Sequence, residues 1–154
     1  MRRLLAVLVS TMAAVAVHAS PHLDGTWRSS HDLTMAFARK HAKLEERTEH
    51  FLDQIMGRLV LRFDGQQVAS EMPDWYVEIG GARRHMTGFR EVSGYKVLFS
   101  NDSVIVVKGR QQVTGKEVVT VYNFIDDDTM WVYQGGADKI TPDLNIREYF
   151  VRNK

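Results

Sequence analysis

The sequence predicts a mostly β protein, an antiparallel up-and-down β-barrel of 8–10 strands with a helical segment between the first and second strands. Two observations carry this. From Gly57 to the end, turn signals recur at intervals of about 8–13 residues, and period-two alternation rather than helical spacing fills the gaps. Before that, residues 31–56 contain no Gly or Pro and space their apolar residues by three, four and seven. A meander of that many strands exposes its edges unless it curls and closes. Closure at about eight strands leaves an interior just wide enough for side chains or one small ligand.

The first residues read as a targeting segment. Arg2 and Arg3 precede an apolar run from Leu4 to Val17, and Val17-His18-Ala19 suits a signal peptidase, so cleavage is expected after Ala19. The run is too short for a spanning helix, which takes roughly 18 or more residues. The expected mature domain is 20–154, exported to a periplasm or secreted. Removal of Arg2 and Arg3 turns the formal charge of +1 into about −1. That balance argues against a dedicated nucleic-acid binder. No later apolar run suggests stable membrane insertion. The chain has no Cys. A disulfide framework and a lipid-modified N-terminal Cys are therefore excluded, and the core must stabilise the domain alone.

The elements follow in order. Residues 26–30 form the first strand. Ser29 or Ser30 can cap a helix with Asp32 in its first turn. Leu33, Phe37, Leu44, Thr48, Phe51 and Ile55 mark the apolar stripe of one helix, or of two broken near Thr48 to His50; Gly57 suits the C-terminus. Leu59, Leu61 and Phe63 then alternate with Arg58, Val60 and Arg62 up to an Asp64-Gly65 hairpin turn. Trp75, Val77 and Ile79 alternate before Gly80-Gly81. Residues 82–91 and 95–100 flank a turn at Ser93-Gly94. Asn101-Asp102 leads to Val104 to Val107, and Thr114-Gly115 to Val118 through Ile125. Asp126 to Asp128 precede Met130 to Gln134. A loop from Gly135-Gly136 to Thr141-Pro142-Asp143 comes before the last strand, 145–152.

Leu23-Asp24-Gly25-Thr26-Trp27-Arg28 at the start and Asn145-Ile146-Arg147-Glu148-Tyr149-Phe150 at the end resemble the ends of the calycins, the lipocalins and fatty-acid-binding proteins. The resemblance implies that Trp27 plugs the bottom of the barrel behind Gly25, and that a late Arg, Arg147 or Arg152, stacks on it. Fatty-acid-binding proteins are similar in layout: a Gly-Thr-Trp strand, helices after it, and an Arg-x-Tyr last strand. By that likeness Arg147 and Tyr149 would reach a ligand carboxylate. Both can donate to one, and alternation puts them on one face. Both faces of the last strand are mixed, so structural pairing of Arg147 and plain exposure stand beside ligand contact. Trp75, Phe99 and Tyr122, with other strand aromatics, are candidates to line a cavity or simply to fill it.

Other constellations carry less. The pairs His41/Glu45 and Glu46/His50 sit at i,i+4, but residues 45 and 46 point about 100° apart, so a solvated helix face outweighs a metal site. Arg83, Arg84, His85 and Arg90 suit a solvated strand; an inward Arg84 and Arg90 would make a cavity anion-seeking. Asp126-Asp127-Asp128 lacks the spacing and Gly of a calcium loop. There is no nucleophile elbow, Cys nucleophile or zinc motif. No His follows His85 to serve as a late axial haem ligand, so no cofactor is expected. The expected function is non-enzymatic: sequestering or carrying a small hydrophobic ligand, with an anionic one as an option. The alternative is a structural or protein-interaction barrel, such as an enzyme inhibitor.

Overall fold

The computed structural model describes residues 22–42, 44–110, 115–134, 143 and 145–153. The expected signal segment 1–19, Thr114 and most of the loop after Gln134 lie outside the described residues. In order the elements are β1 (Gly25–Ser29), α1 (His31–His41), α2 (Glu46–Ile55), β2 (Val60–Asp64), β3 (Gln67–Met72), β4 (Trp75–Ile79), β5 (Ala82–Met86), β6 (Phe89–Ser100), β7 (Val104–Arg110), β8 (Glu117–Asp126), β9 (Thr129–Gln134) and β10 (Ile146–Asn153). Eight strands close into an antiparallel barrel in the order β1-β10-β9-β8-β7-β6-β3-β2. β4 and β5 pair only with each other.

Alternation decides which side chains fill the barrel. The inward rows of β1, β2, β8, β9 and β10 bring together Trp27, Phe63, Phe124, Met130 and Phe150, with Ile105 and Val107 from β7. Trp27 is 0% exposed. Its indole N–H donates to the Leu23 carbonyl at 2.7 Å, and Phe124 meets its ring edge-on at 5.9 Å. Trp27 pairs directly with Arg152 across the β1–β10 seam that closes the barrel. The Arg152 guanidinium lies 4.1 Å from the indole centroid. Of the two expected stacking partners, then, the structure selects Arg152. Gly25 serves this end of the barrel in two ways. Its φ is +115°, a conformation side chains resist, and an added Cβ would stand 3.0 Å from Arg152 Nη1.

Ser30 caps α1 through a bond from the Leu33 amide at 3.4 Å. The helical segment breaks at residues 42–45, earlier than the expected Thr48 to His50. Its buried stripe also differs from the expected one. Met35, Ala38 and Leu52 are buried, Met35 and Leu52 against Ile146 at the start of β10, while Leu33 is 41% exposed and Phe51 is also exposed. Leu44 and Ile55 do pack against that cluster. Arg39 joins the two helices by bonds to Glu49 at 2.8 Å and Asp53 at 2.7 Å. α2 ends at Met56, and Gly57 turns the chain away with φ +85°.

The expected turn at Ser93-Gly94 is replaced by continuous strand: Gly94 pairs with Gln67, and β6 runs straight through. The chain instead turns out of the wall at Pro73-Asp74 and returns at Thr87-Gly88, so β4–β5 is an excursion between two paired strands. Gln54 of α2 holds the excursion by accepting from the Glu78 amide at 2.6 Å and donating to the Glu78 carbonyl at 3.3 Å. Its neck is tight. Gly88 N–H donates to Asp74 Oδ1 at 2.6 Å, and a Cβ on Gly88 would lie 2.2 Å from the Met72 carbonyl oxygen.

Two outcomes test this packing. Trp27→Ala should lower stability by roughly 3–5 kcal/mol, the usual loss for a buried aromatic; a melting temperature within a few degrees of the parent would remove Trp27 as the plug. Gly88→Ala should cost about 1–3 kcal/mol in chemical denaturation, because the obstructing atoms are backbone and cannot rotate aside. An unchanged midpoint would show that the neck is looser than described.

Candidate functional site

The barrel is filled at the Trp27 end and hollow toward the other. Two adjoining cavities, about 590 and 270 Å³, occupy the hollow half. Leu59, Ser70, Val118, Thr120 and Tyr122 line both, so they are lobes of one space. Leu61, Val132, Gln134 and Phe150 also line the larger lobe, as do Val119, Val121 and Tyr133 at its β8–β9 edge. Val68, Glu91, Ser93, Tyr95 and Val107 line the smaller, with Phe89, Gly109 and Arg110. The arithmetic of the strands explains the opening. β8 begins at Glu117, but its pairing with β9 starts only at Tyr122↔Val132. Among the described residues none of β9 is in register with residues 118–121, which border the larger lobe. The combined size falls in the range of ordinary small-molecule sites; the lining mixes apolar and polar surface, in about equal parts in the larger lobe and with apolar surface in excess in the smaller.

Of Arg147, Tyr149, Trp75, Phe99 and Tyr122, Tyr122 alone lines this space; among the other strand aromatics Tyr95 and Tyr133 line it as well. Burial among apolar neighbours pushes the Tyr122 phenol above the ordinary range, and Phe63 packs edge-on against it at 5.5 Å. The other four lie elsewhere. Trp75 stands on β4, off the barrel wall, paired with Met86. Phe99 is 53% exposed on the outside of β6, opposite Val106. Arg147 and Tyr149 point outward from β10, because Ile146, Glu148 and Phe150 take the inward face. Arg147 lies between two rings, 4.0 Å from the Trp131 centroid and 4.7 Å from that of Phe37. Tyr149 packs 6.0 Å from Phe37, and its amide donates to Thr34 Oγ1 at 3.0 Å. Both residues thus dock α1 on the barrel and take no part in the cavity. Arg84 sits on the β4–β5 hairpin, and Arg90 is exposed in register with Glu71, so neither supplies an inward cation. Among the described residues no cluster of His, Cys, Asp or Glu could hold a metal ion.

The sequence reading missed the polar group of greatest weight. Glu148 is 7% exposed, flanked on the inward face of β10 by Ile146 and Phe150. Gln134, which lines the larger lobe, donates from Nε2 to Glu148 Oε2 at 2.8 Å. The Ser29 hydroxyl bonds the same carboxyl and accepts from the Gly57 amide at 3.1 Å. Burial raises the Glu148 pKa; the bonds from Ser29 and Gln134 oppose the shift and are outweighed. The available signal was a single acid between two apolar residues on one face of a strand.

No family model matches the chain, and no curated protein or solved structure matched it in comparison. The class rests on the architecture: a closed, eight-stranded antiparallel barrel with two helices after the first strand and a hollow end, an arrangement compatible with a calycin-like barrel.

Glu148 yields a pH prediction with a definite sign. A carboxyl whose folded pKa lies above its unfolded value contributes stability that is complete below the ordinary range, about 4.3 for Glu, and is lost as pH rises through the raised value. Glu148→Gln lacks that loss. The stability of the variant relative to the parent should therefore grow as pH rises above about 4.3. Unfolding curves measured across the pH range would reject the assignment if the difference stayed constant.

Proposed function

We propose that this barrel sequesters or carries a small, largely apolar molecule in its hollow end, without chemistry on it. The observation that carries the reading is the two-lobed space beside Tyr122, about 590 and 270 Å³, in a barrel whose other end is filled with side chains. Tyr122, Thr120, Ser70 and Leu59 stand where both lobes meet. The anionic-ligand option loses its support, since Arg147 and Tyr149 are committed to α1. The Arg2-Arg3 start, the apolar run after it and the Cys-free composition favour a periplasmic or secreted setting, entered after cleavage near Ala19.

A protein-interaction reading has one observation in its favour. Phe99, Val106 and Val121 form a cross-strand row on the outer wall, with Val119 and Ile125 exposed on the same strand as Val121 and Tyr133 on β9; Val119, Val121 and Tyr133 also border the larger lobe. Apolar surface of that extent marks contact sites in other proteins.

Native mass spectrometry of protein purified from its own compartment separates the two. A retained small molecule supports the carrier; a bare chain or a complex with another protein supports the interaction reading. A directed variant adds a second check. Thr120→Trp should fill the junction of the lobes and weaken uptake of a neutral fluorescent probe such as Nile red at least about tenfold, roughly 1.4 kcal/mol, with the fold intact by circular dichroism. Undiminished uptake would place the probe outside the barrel.

A further inference from the structure

On the reading of the barrel as a carrier, we infer that the ligand's polar end is a protonated amine and that Glu148 is its anchor. The charges of the hollow half point this way. Glu148 is buried on the inward face of β10, and Glu91 lines the smaller lobe. Arg110 is the one cation lining either lobe among the described residues; it stands at the end of β7, in register with Glu117 of β8. Arg152, also inward, is committed at the filled end to Trp27 and to backbone carbonyls. Glu148 stands behind the wall of the larger lobe, which it reaches through Gln134, and the smaller lobe carries Glu91 beside Arg110; at Glu148 a ligand carboxylate would meet like charge, whereas an ammonium meets opposite charge.

The bonding at Glu148 leaves room for that ammonium. A carboxylate offers about four acceptor positions. Two neutral donors, the Ser29 hydroxyl and the Gln134 amide, use two of them and bring no compensating charge. Burial of a carboxylate with only neutral partners is costly, and the carboxyl's raised pKa is the sign of it. An ammonium supplies both a donor and the missing charge, and a charge-assisted bond in a low-dielectric wall is the stronger kind. The route is short: Gln134 lines the larger lobe and touches Glu148 directly, and Phe150, two residues along β10, lines the same lobe. The apolar walls beyond, Leu59, Leu61, Val118 and Val132, would take the ligand's hydrocarbon part.

The test is displacement of Nile red from the purified protein by decylamine, decanol and decanoate, which share a chain and differ in the head group. The amine should displace the dye at a concentration at least about tenfold below that of the carboxylate, with the alcohol between, a gap of roughly 1.4 kcal/mol. Glu148→Gln should abolish the preference and leave decanol's affinity unchanged. Equal potency of the three, or a preference for decanoate, overturns the inference while the carrier reading stands. A preference that survives Glu148→Gln and vanishes in Glu91→Gln overturns the anchor. If the folded parent takes up no dye and no decyl compound, the carrier reading itself fails. Should Glu148→Gln not fold, Gln134→Leu serves instead: it vacates one acceptor position on Glu148, so the preference should widen, and a narrower one counts against the proposal.

Discussion

The stack of Arg152 on Trp27 is the constraint on which the rest of the architecture depends. A barrel must join its first strand to its last, and here Trp27 and Arg152 are one of the pairs in register at that joint. A guanidinium over an indole contributes roughly 0.5–2 kcal/mol by itself. Its larger role is to tie separate parts of the chain. Arg152 donates to the His22 carbonyl at 2.9 Å and to that of Asp127 at 3.1 Å, so the segment before β1, the β8–β9 turn and the last strand meet at one side chain. Its side chain is largely covered, and Asp128 at 3.5 Å supplies the opposite charge, so the cation is not buried alone. With one end filled so completely, the remaining inward positions need not pack tightly.

The other end follows from that asymmetry. Inward residues there are shorter or polar: Ser29, Ser70, Ser93, Thr120 and Gln134 stand where Trp, Phe and Met stand at the filled end. The helices and the β4–β5 excursion border this half, α1 held to β10 by Arg147, Tyr149 and Thr34, and the hairpin held to α2 by Gln54. One consequence is that Arg147 and Tyr149 of the last strand serve the outside of the barrel, while Glu148, Phe150 and Arg152 serve the inside.

Much of the fold was legible because alternation and turn chemistry are local. Asp64-Gly65, Asn101-Asp102 and Asp126 to Asp128 fall where strands reverse, and Gly25-x-Trp27 marks the closing strand. The ladder was less legible. Ser93-Gly94 looks like a turn, yet pairing with Gln67 and Val68 keeps it extended, while the real departure at Pro73 and Gly88 shows only as two separate residues. Helix phase differs from the apolar stripe because Thr34 and Ala38, small side chains with no strong apolar signal, are buried while Leu33 is exposed; Phe37 keeps its place against β10. The site was the least legible part. Arg147 and Tyr149 offered ligand chemistry, but Ile146 and Phe150 claim the inward face, and one acid between them hid the alternation. Pairing across strands, which no single segment encodes, brings Gln134, Ser29 and Glu148 together.

Hydrogen exchange at the Trp27 indole N–H, followed by NMR, bears most directly on this account. The group is buried, bonded to the Leu23 carbonyl and covered by Arg152, so local motion offers it no route to water. It should exchange only through global unfolding, with an opening free energy equal to that of the most protected amides of β8. Exchange through a local opening, well below that free energy, would show that the Trp27–Arg152 joint gives way while the barrel stays folded, and would contradict its place at the base of the structure.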